Sequence, residues 1–412
     1  MRFRHQLPVY SPIPSRAVVA AAINAAGLQR DARGELAAVL RDDFAADDVL
    51  LCGSGTQALQ VAIECVRDEQ RPDAVVALPA FSCFDVASAA VGAGARVALY
   101  DLDPCSLSPD LESLARALVK GATIVVVAPL YGVPVAWEQI ARLAAEHGAI
   151  VIEDAAQGHG ASYAGKPLGA FGEISTLSFG RGKGWTGGAG GAGLFRRGRR
   201  SPGPFPEQST SRELRTVLGL AAQWGLGRPA LYGVPLAIPG LDLGKTIYHP
   251  PVAPRAIAPA VAAAALASRE ASRLEGERRR ANAAWIRDRL VGRSALREIS
   301  HSRTGGRVDG WTGGRVARDD SVSGALRLPV LGARGLDGFP DRAAAMALGV
   351  APSYPEELGS LAPLTPLLVE GRASWPGASR LVRELFTFPT HSRLSAVERS
   401  SLGELIDEYG GA

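Results

Sequence analysis

The sequence predicts an α/β protein, with a mostly parallel sheet covered by helices on both faces. Three observations predict it. From about residue 35 to 195, short apolar runs alternate with helical patterns. A glycine turn, Gly53-Ser54-Gly55, follows the first of these runs directly and opens a helix. Hydrophobic residues make up 47% and charged ones 21% of 412 positions, enough for a large core and for two or three domains.

In order, Val49–Cys52 reads as a strand and Gln57–Arg67 as a helix. Ala74–Leu78 is a strand, followed by an apolar helix over Asp85–Ala93. Strands follow at Arg96–Tyr100, Thr123–Ala128 and Ala149–Ile152, with an amphipathic helix, Trp137–Glu146, between the last two. In such sheets ligands bind outside the carboxyl ends of the strands. Residues 196–212 shift to Arg, Gly, Pro and Ser and read as an exposed loop. Its basic run, Arg196, Arg197, Arg199 and Arg200, reads as a solvated turn, with an anionic substrate as the other use for it. Ala258–Leu290 is a long Ala-rich helix, and the Gly- and Arg-rich stretch 301–323 a hairpin or loop. Neither internal repeats nor low-complexity tracts occur.

A formal net charge of +4 suits an acidic or phosphorylated small substrate, or simply an Arg-rich surface. Basic residues do not cluster with aromatics, which excludes a nucleic-acid-binding stripe. Cys52, Cys65, Cys83 and Cys105 have neither metal-ligand nor C-x-x-C spacing, as expected of free thiols in a reducing cytoplasm. The first fifteen residues lack the apolar core of a signal peptide. The longest apolar stretch, Thr216–Leu241, is broken by Arg228, Pro229, Pro235 and Pro239, so no membrane span is expected.

Three strings could carry chemistry. Gly53-Ser54-Gly55-Thr56-Gln57-Ala58 places backbone N–H groups at a helix start, a ready anion site. It also fits G-x-G-x-x-A, but the next strand ends without the acidic residue that a dinucleotide ribose requires. Glu153-Asp154 sets two carboxylates at the end of a buried strand, costly unless they meet a cation or cap a helix. Ser178-Phe179-Gly180-Arg181-Gly182-Lys183 precedes a second glycine run. It is not a P-loop, because Gly184 follows the lysine. A lysine amine held among small residues, partly away from water, suits Schiff-base chemistry.

In this order and spacing the strings resemble the DegT/StrS family, fold-type I pyridoxal-phosphate (PLP) enzymes that are mostly sugar-nucleotide aminotransferases. Pro129-Leu130-Tyr131-Gly132, His159-Gly160-Ala161, Gly165-Lys166-Pro167-Leu168-Gly169 and Phe388-Pro389-Thr390-His391 extend the resemblance over nearly the whole chain. It implies a large domain, 1–250, with an N-terminal arm and a mostly parallel seven-stranded sheet between helices. A smaller α+β domain, 251–412, would complete it. PLP would be the cofactor, glutamate or glutamine the amino donor, and a keto group of a nucleotide-linked sugar the acceptor. The assembly would be a cytoplasmic homodimer with each active site at the dimer interface.

Residue by residue, the resemblance makes Lys183 the Schiff-base lysine and proton carrier. Asp154 would hold the protonated ring nitrogen, and Gln157 would lie against the ring near its 3-hydroxyl. The Gly55 and Thr56 amides, with the Ser178 hydroxyl, would cradle the phosphate. His159 would support the site structurally. The family's ring-stacking position falls on Cys83 or Phe84, and Phe84 is the aromatic of the two. The Asn-x-Arg-Met string of many relatives is replaced by Val252–Ile257, leaving Arg255 as the anion-binding substitute. Family dehydratases replace the lysine by His, so Lys183 favours transamination. A PLP-binding regulatory protein without turnover is the reading from another class.

Overall fold

Strands β1 (Asp48–Cys52), β2 (Val75–Pro79), β3 (Arg96–Tyr100), β4 (Ala122–Val127) and β5 (Ile150–Asp154) realise the predicted alternation. A small hairpin, β6 (Ser162–Tyr163) and β7 (Lys166–Pro167), separates them from β8 (Ile174–Ser178) and β9 (Gly191–Phe195). The structure, a computed structural model, describes residues 5–28, 31–70, 73–238, 244–300, 320–370 and 373–410. Seven strands form one sheet in the order β1-β9-β8-β5-β4-β2-β3. The ladder from β3 to β8 is parallel throughout, whereas β9 runs antiparallel to both β8 and β1. Fold class and strand number agree with the expectation.

Side chains alternate across each strand, and both faces are dry. Val75, Ala77, Val125 and Val127 enter one apolar cluster. Val76, Leu78, Ile124 and Val126 enter the other. Upstream of β1 lie α1 (Ser15–Ala25) and α2 (Arg33–Phe44); α3 (Gly55–Gln70) and α4 (Phe84–Gly92) then cover one face of the sheet. On the opposite face pack α5 (Leu111–Val119) and α6 (Trp137–Glu146).

The apolar stretch after residue 210 folds as α7 (Thr210–Leu226) and α8 (Pro229–Leu236), with Pro229 starting the second helix and Pro235 inside it. Its last residues, 239–241, lie outside the described residues. Helix α9 (Pro259–Leu290) serves two cores. Its first turns pack with Ala17 and Ala21 of α1 and with Leu36 and Leu40 of α2. Ala283, Ile286 and Leu290 pack with a second, antiparallel sheet. That sheet comprises β10 (Leu296–Glu298), β11 (Leu328–Gly332), β12 (Ala351–Pro352) and β13 (Leu385–Phe388), in the order β10-β11-β13-β12. Helices α10 (Arg342–Ala347), α11 (Pro376–Glu384) and α12 (Ala396–Glu408) complete this part, the last opened by a Ser395/Glu398 capping box. Of the expected hairpin at 301–323, residues 301–319 lie outside the described residues.

The basic run is not a solvated turn as a whole. Arg196 Nη1 donates to the Gly172 carbonyl (3.0 Å) and to Ser175 Oγ (2.9 Å), and Nη2 to the Phe44 carbonyl (2.9 Å). Arg199 Nε meets Glu173 at 3.3 Å. Backbone carbonyls and Ser175 draw Arg196 inward, Glu173 draws Arg199, and the residues Arg197 and Arg200 stay exposed. The four cysteines are free thiols. Among the described residues no cluster could hold a metal ion, and no helix is long and apolar enough to cross a membrane.

Candidate active site

One cleft gathers the ends of four parallel strands and the start of α3. Its lining includes Gly55 and Thr56 at the start of α3, Ser82 and Cys83 after β2, and Pro129 and Leu130 after β4. Asp154 and Gln157 come from the end of β5, Ser178 and Lys183 from β8 and the loop beyond it. The chain brings these six sequence-predicted residues together from positions up to 128 apart because parallel strands deliver all their exits to one edge.

At the helix end, Ser54 Oγ accepts from the Gln57 amide (3.1 Å) and closes the first turn of α3. The Gly55 and Thr56 backbone at this helix start borders the cleft. Gly55 is needed for contact: a Cβ there would lie 2.7 Å from Ser178 Cβ. Gly191, at the start of β9, is equally constrained, since its Cβ would meet the Gly55 nitrogen at 2.5 Å.

The acidic pair divides its work. Glu153 is fully buried and points away from the cleft. Its Oε1 accepts from the Gly169 amide (2.7 Å), and Oε2 from the amides of Phe171 (2.9 Å) and Gly172 (3.4 Å) and from Ser175 Oγ (2.9 Å). Burial pushes this carboxyl up, and the donors together with Arg196 pull it back. Glu153→Gln would turn an amide N–H toward donors, so we expect a loss of about 2–4 kcal/mol. A urea titration reads this as a lower midpoint at unchanged slope, and an unmoved midpoint would contradict it.

Asp154 faces the cleft. Oδ1 accepts from the Ala156 amide (3.1 Å) and from Thr176 Oγ1 (3.4 Å), while Oδ2 has no partner among the described residues. Burial raises its pKa above the ordinary aspartate value, against the opposing pull of the Lys183 charge.

The glycine run carrying Lys183 is a fixed loop rather than a loose one. Thr186 Oγ1 donates to the Phe179 carbonyl at 3.0 Å, and Trp185 Nε1 donates to the Ala265 carbonyl of α9 at 2.7 Å. Gly182 takes φ +76°, which lets the chain turn just before the lysine. Ser11, from the other end of the sequence, braces the turn: its hydroxyl accepts from the Gly182 amide (2.9 Å) and donates to the Lys183 carbonyl (3.0 Å). The Lys183 side chain lines the cleft and has no hydrogen bond or ion pair among the described residues.

Both ends of the Gln157 amide are committed. Oε1 accepts from the Tyr131 amide (2.9 Å) and Nε2 donates to Tyr354 Oη (2.8 Å). Tyr131 takes φ +58° to make this contact.

Phe84 does not line the cleft. Cys83, extended at the N-cap of α4, borders it, and Phe84 one residue later turns away into the cluster containing Ile63 and Leu78, 3% exposed. Burial pushes the Cys83 thiol up to about 12, so it stays neutral. His159 also lies outside the lining, its ring 5.8 Å from that of Trp185, and burial beside Arg279 pulls its pKa down to about 4. Arg255 lies beside the glycine turn, its carbonyl accepting from the Gly53 amide at 2.9 Å. Its buried Nε has no hydrogen-bond partner. Ser11 and Tyr354 escaped sequence reading because each reaches the site through tertiary contacts alone.

Residues 19–199 match the model of the DegT/DnrJ/EryC1/StrS aminotransferase family. The chain is 35% identical over 128 residues to a pleiotropic regulatory protein of Geobacillus stearothermophilus, a stretch covering 31% of this chain and 34% of that protein. It is 33% identical over 141 residues to the L-glutamine:2-deoxy-scyllo-inosose aminotransferase of Streptomyces kanamyceticus, covering 34% and 33% of the two chains. The chain thus spans about a third of the length of these curated relatives. In fold it resembles 3-amino-5-hydroxybenzoic acid synthase, with a TM-score of 0.72 at 18% identity over 99% of this chain and 100% of that one.

Proposed function

We propose, from the match of residues 19–199 to the model of the DegT/DnrJ/EryC1/StrS aminotransferase family, that this chain is a PLP-dependent aminotransferase of that family. It moves an amino group from glutamine or glutamate to a keto group on a sugar nucleotide or related cyclic polyol. One observation carries the reading: a lysine amine without a hydrogen bond or ion pair among the described residues shares a cleft with a half-engaged aspartate and a helix start. The donor set fits the cofactor. Gly55 and Thr56 amides with Ser178 Oγ suit a phosphate, the open Oδ2 of Asp154 suits a protonated ring nitrogen, and Ser82 Oγ is buried in the wall without a partner.

When bound, the cofactor supplies an aldehyde carbon to hold the amino group and a ring that draws electrons from the substrate carbon. Lys183 Nζ would hold it and would carry the proton on and off the reacting carbon. Asp154, ionised, would keep the ring nitrogen protonated. Gln157, fixed at both ends, holds the wall beside the ring.

Residues 1–250 are taken as the cofactor-binding unit and 251–412 as the smaller one. A cytoplasmic homodimer is supported by the free thiols and by an apolar face on α7 and α8. There Leu214, Leu218, Leu231 and Val234 are 42–61% exposed.

Protein loaded with PLP and mixed with glutamine or glutamate is expected to lose the visible absorption of the tethered cofactor and release the matching 2-oxo acid. A keto acceptor should then restore the absorption. If neither change occurs with any amino acid, the proposal fails, and a binding protein without turnover takes its place.

A further inference from the structure

The charged side chains among the described lining of the cleft are Asp154, Lys183 and Asp85. The aminotransferase reading commits the first two to the cofactor, and Asp85 has no part in that scheme. It stands in the first turn of α4, where a carboxylate suits the helix dipole. That role asks only for a place near the helix end, and not for a wall of the cleft that holds Lys183.

The Asp85 side chain is 48% exposed, so a molecule entering the cleft can reach it. Few of its lone pairs are used among the described residues. Oδ2 accepts from the weak Cys83 thiol donor at 3.7 Å, and Oδ1 faces the exposed His249 ring at 4.0 Å, beyond hydrogen-bond reach. Lys183 makes no ion pair with it. Asp85 is nonetheless close to the reacting end: burial is the main cause of the raised Asp154 pKa, and the Asp85 charge adds to it.

An accessible carboxylate with open lone pairs takes hydroxyl donors, because an O–H···O⁻ bond is about twice as strong as a neutral one. Its two oxygens can serve two neighbouring hydroxyls of one ring. A diphosphate meets the opposite conditions. It would be repelled by Asp85, and Lys183 is the one cation among the described lining.

We propose that Asp85 determines which acceptor the cleft takes: neighbouring hydroxyls of an uncharged cyclic polyol donate to its carboxylate while the keto carbon lies toward Lys183. The direction of the keto carbon rests on the aminotransferase reading; the hydroxyl contact itself does not. Of the two acceptor kinds that reading allows, Asp85 selects the polyol without phosphate.

Binding is measured first, without turnover. The neutral polyol scyllo-inositol is titrated calorimetrically into wild-type, Asp85→Asn and Asp85→Glu protein, each loaded with PLP. Asp85→Asn should bind it about tenfold or more weakly than wild type, the range for a hydrogen bond to a charged group. Asp85→Glu keeps the charge and should retain part of the affinity. Asp85 is half-exposed and makes no strong bond, so the melting temperature of Asp85→Asn should stay within about 2 °C of wild type. Absent binding to wild type, or undiminished binding to Asp85→Asn, overturns the proposal.

The two half-reactions are then followed separately, with scyllo-inosose as the neutral keto acceptor and a dTDP-linked keto sugar as the anionic one. In Asp85→Asn the apparent Kd for scyllo-inosose should rise about tenfold or more, and the rise should exceed any change for the donor. An equal rise for donor and acceptor overturns the proposal, and so does a wild-type protein that binds the dTDP-linked sugar more tightly than scyllo-inosose. If wild-type protein never converts a donor, the aminotransferase reading fails on its own, and the scyllo-inositol titration still decides Asp85.

Discussion

Replacing Lys183 by alanine is expected to lower turnover by a factor on the order of 10³ or more while leaving the fold intact. On the proposed reading the loss combines the covalent tether with the proton carrier, and general acid–base transfer alone is worth about 10²–10⁴-fold. The fold should be indifferent, because the side chain makes no hydrogen bond or ion pair among the described residues. The loop is held instead by Thr186, Trp185 and the backbone contacts of Ser11. Thermal unfolding of the two proteins should therefore superimpose within about 1 °C, as for changes away from packed or bonded groups. Borohydride treatment should fix PLP to the wild-type chain and not to the variant. Retained turnover, or cofactor still fixed in the variant, would move the chemistry to another lysine.

Asp154→Asn should weaken PLP binding and slow the donor half-reaction together, by about 10²-fold. Removing one partner of a shielded charge pair costs roughly 3 kcal/mol or more. The pH dependence gives a second check. Burial raises the folded-state pKa of Asp154, so the carboxyl remains protonated to a higher pH than an ordinary aspartate. In its neutral form it cannot pair with a cationic ring nitrogen. PLP affinity should thus be low in acid and rise as pH climbs through that raised value. The asparagine variant should show a flat profile over the same range, and an unchanged slope would assign the titration elsewhere.

What the sequence revealed follows from what is local. β3 and α6 have the bounds expected because their burial patterns are complete within a few residues. The site strings were legible because strand exits and helix starts leave glycines, hydroxyls and acids at fixed offsets. Helices α1 and α2 were missed because Pro14 and Ala32 stand at their N-caps, where no side chain caps the first turn. Cys83 and Phe84 could not be separated before folding, since adjacent residues at a helix start face opposite sides. Tyr354 and Ser11 enter through contacts 197 and 172 positions long, which no local pattern records.

The brace that Ser11 gives the lysine loop also fixes when the molecule becomes competent. The same segment is anchored at its other side by residues far along the chain: Gln6 Nε2 donates to the Arg393 carbonyl, and the Leu7 carbonyl bonds His391 Nε2 at 2.7 Å, across 387 and 384 positions. During synthesis residues 5–11 emerge long before residues 391–393 and cannot yet dock on them, while the sheet can close from contacts nearer in sequence. The lysine loop therefore takes its final form only after residues 391–393 have been made, so a nascent chain can hold its sheet before the brace on Lys183 is in place.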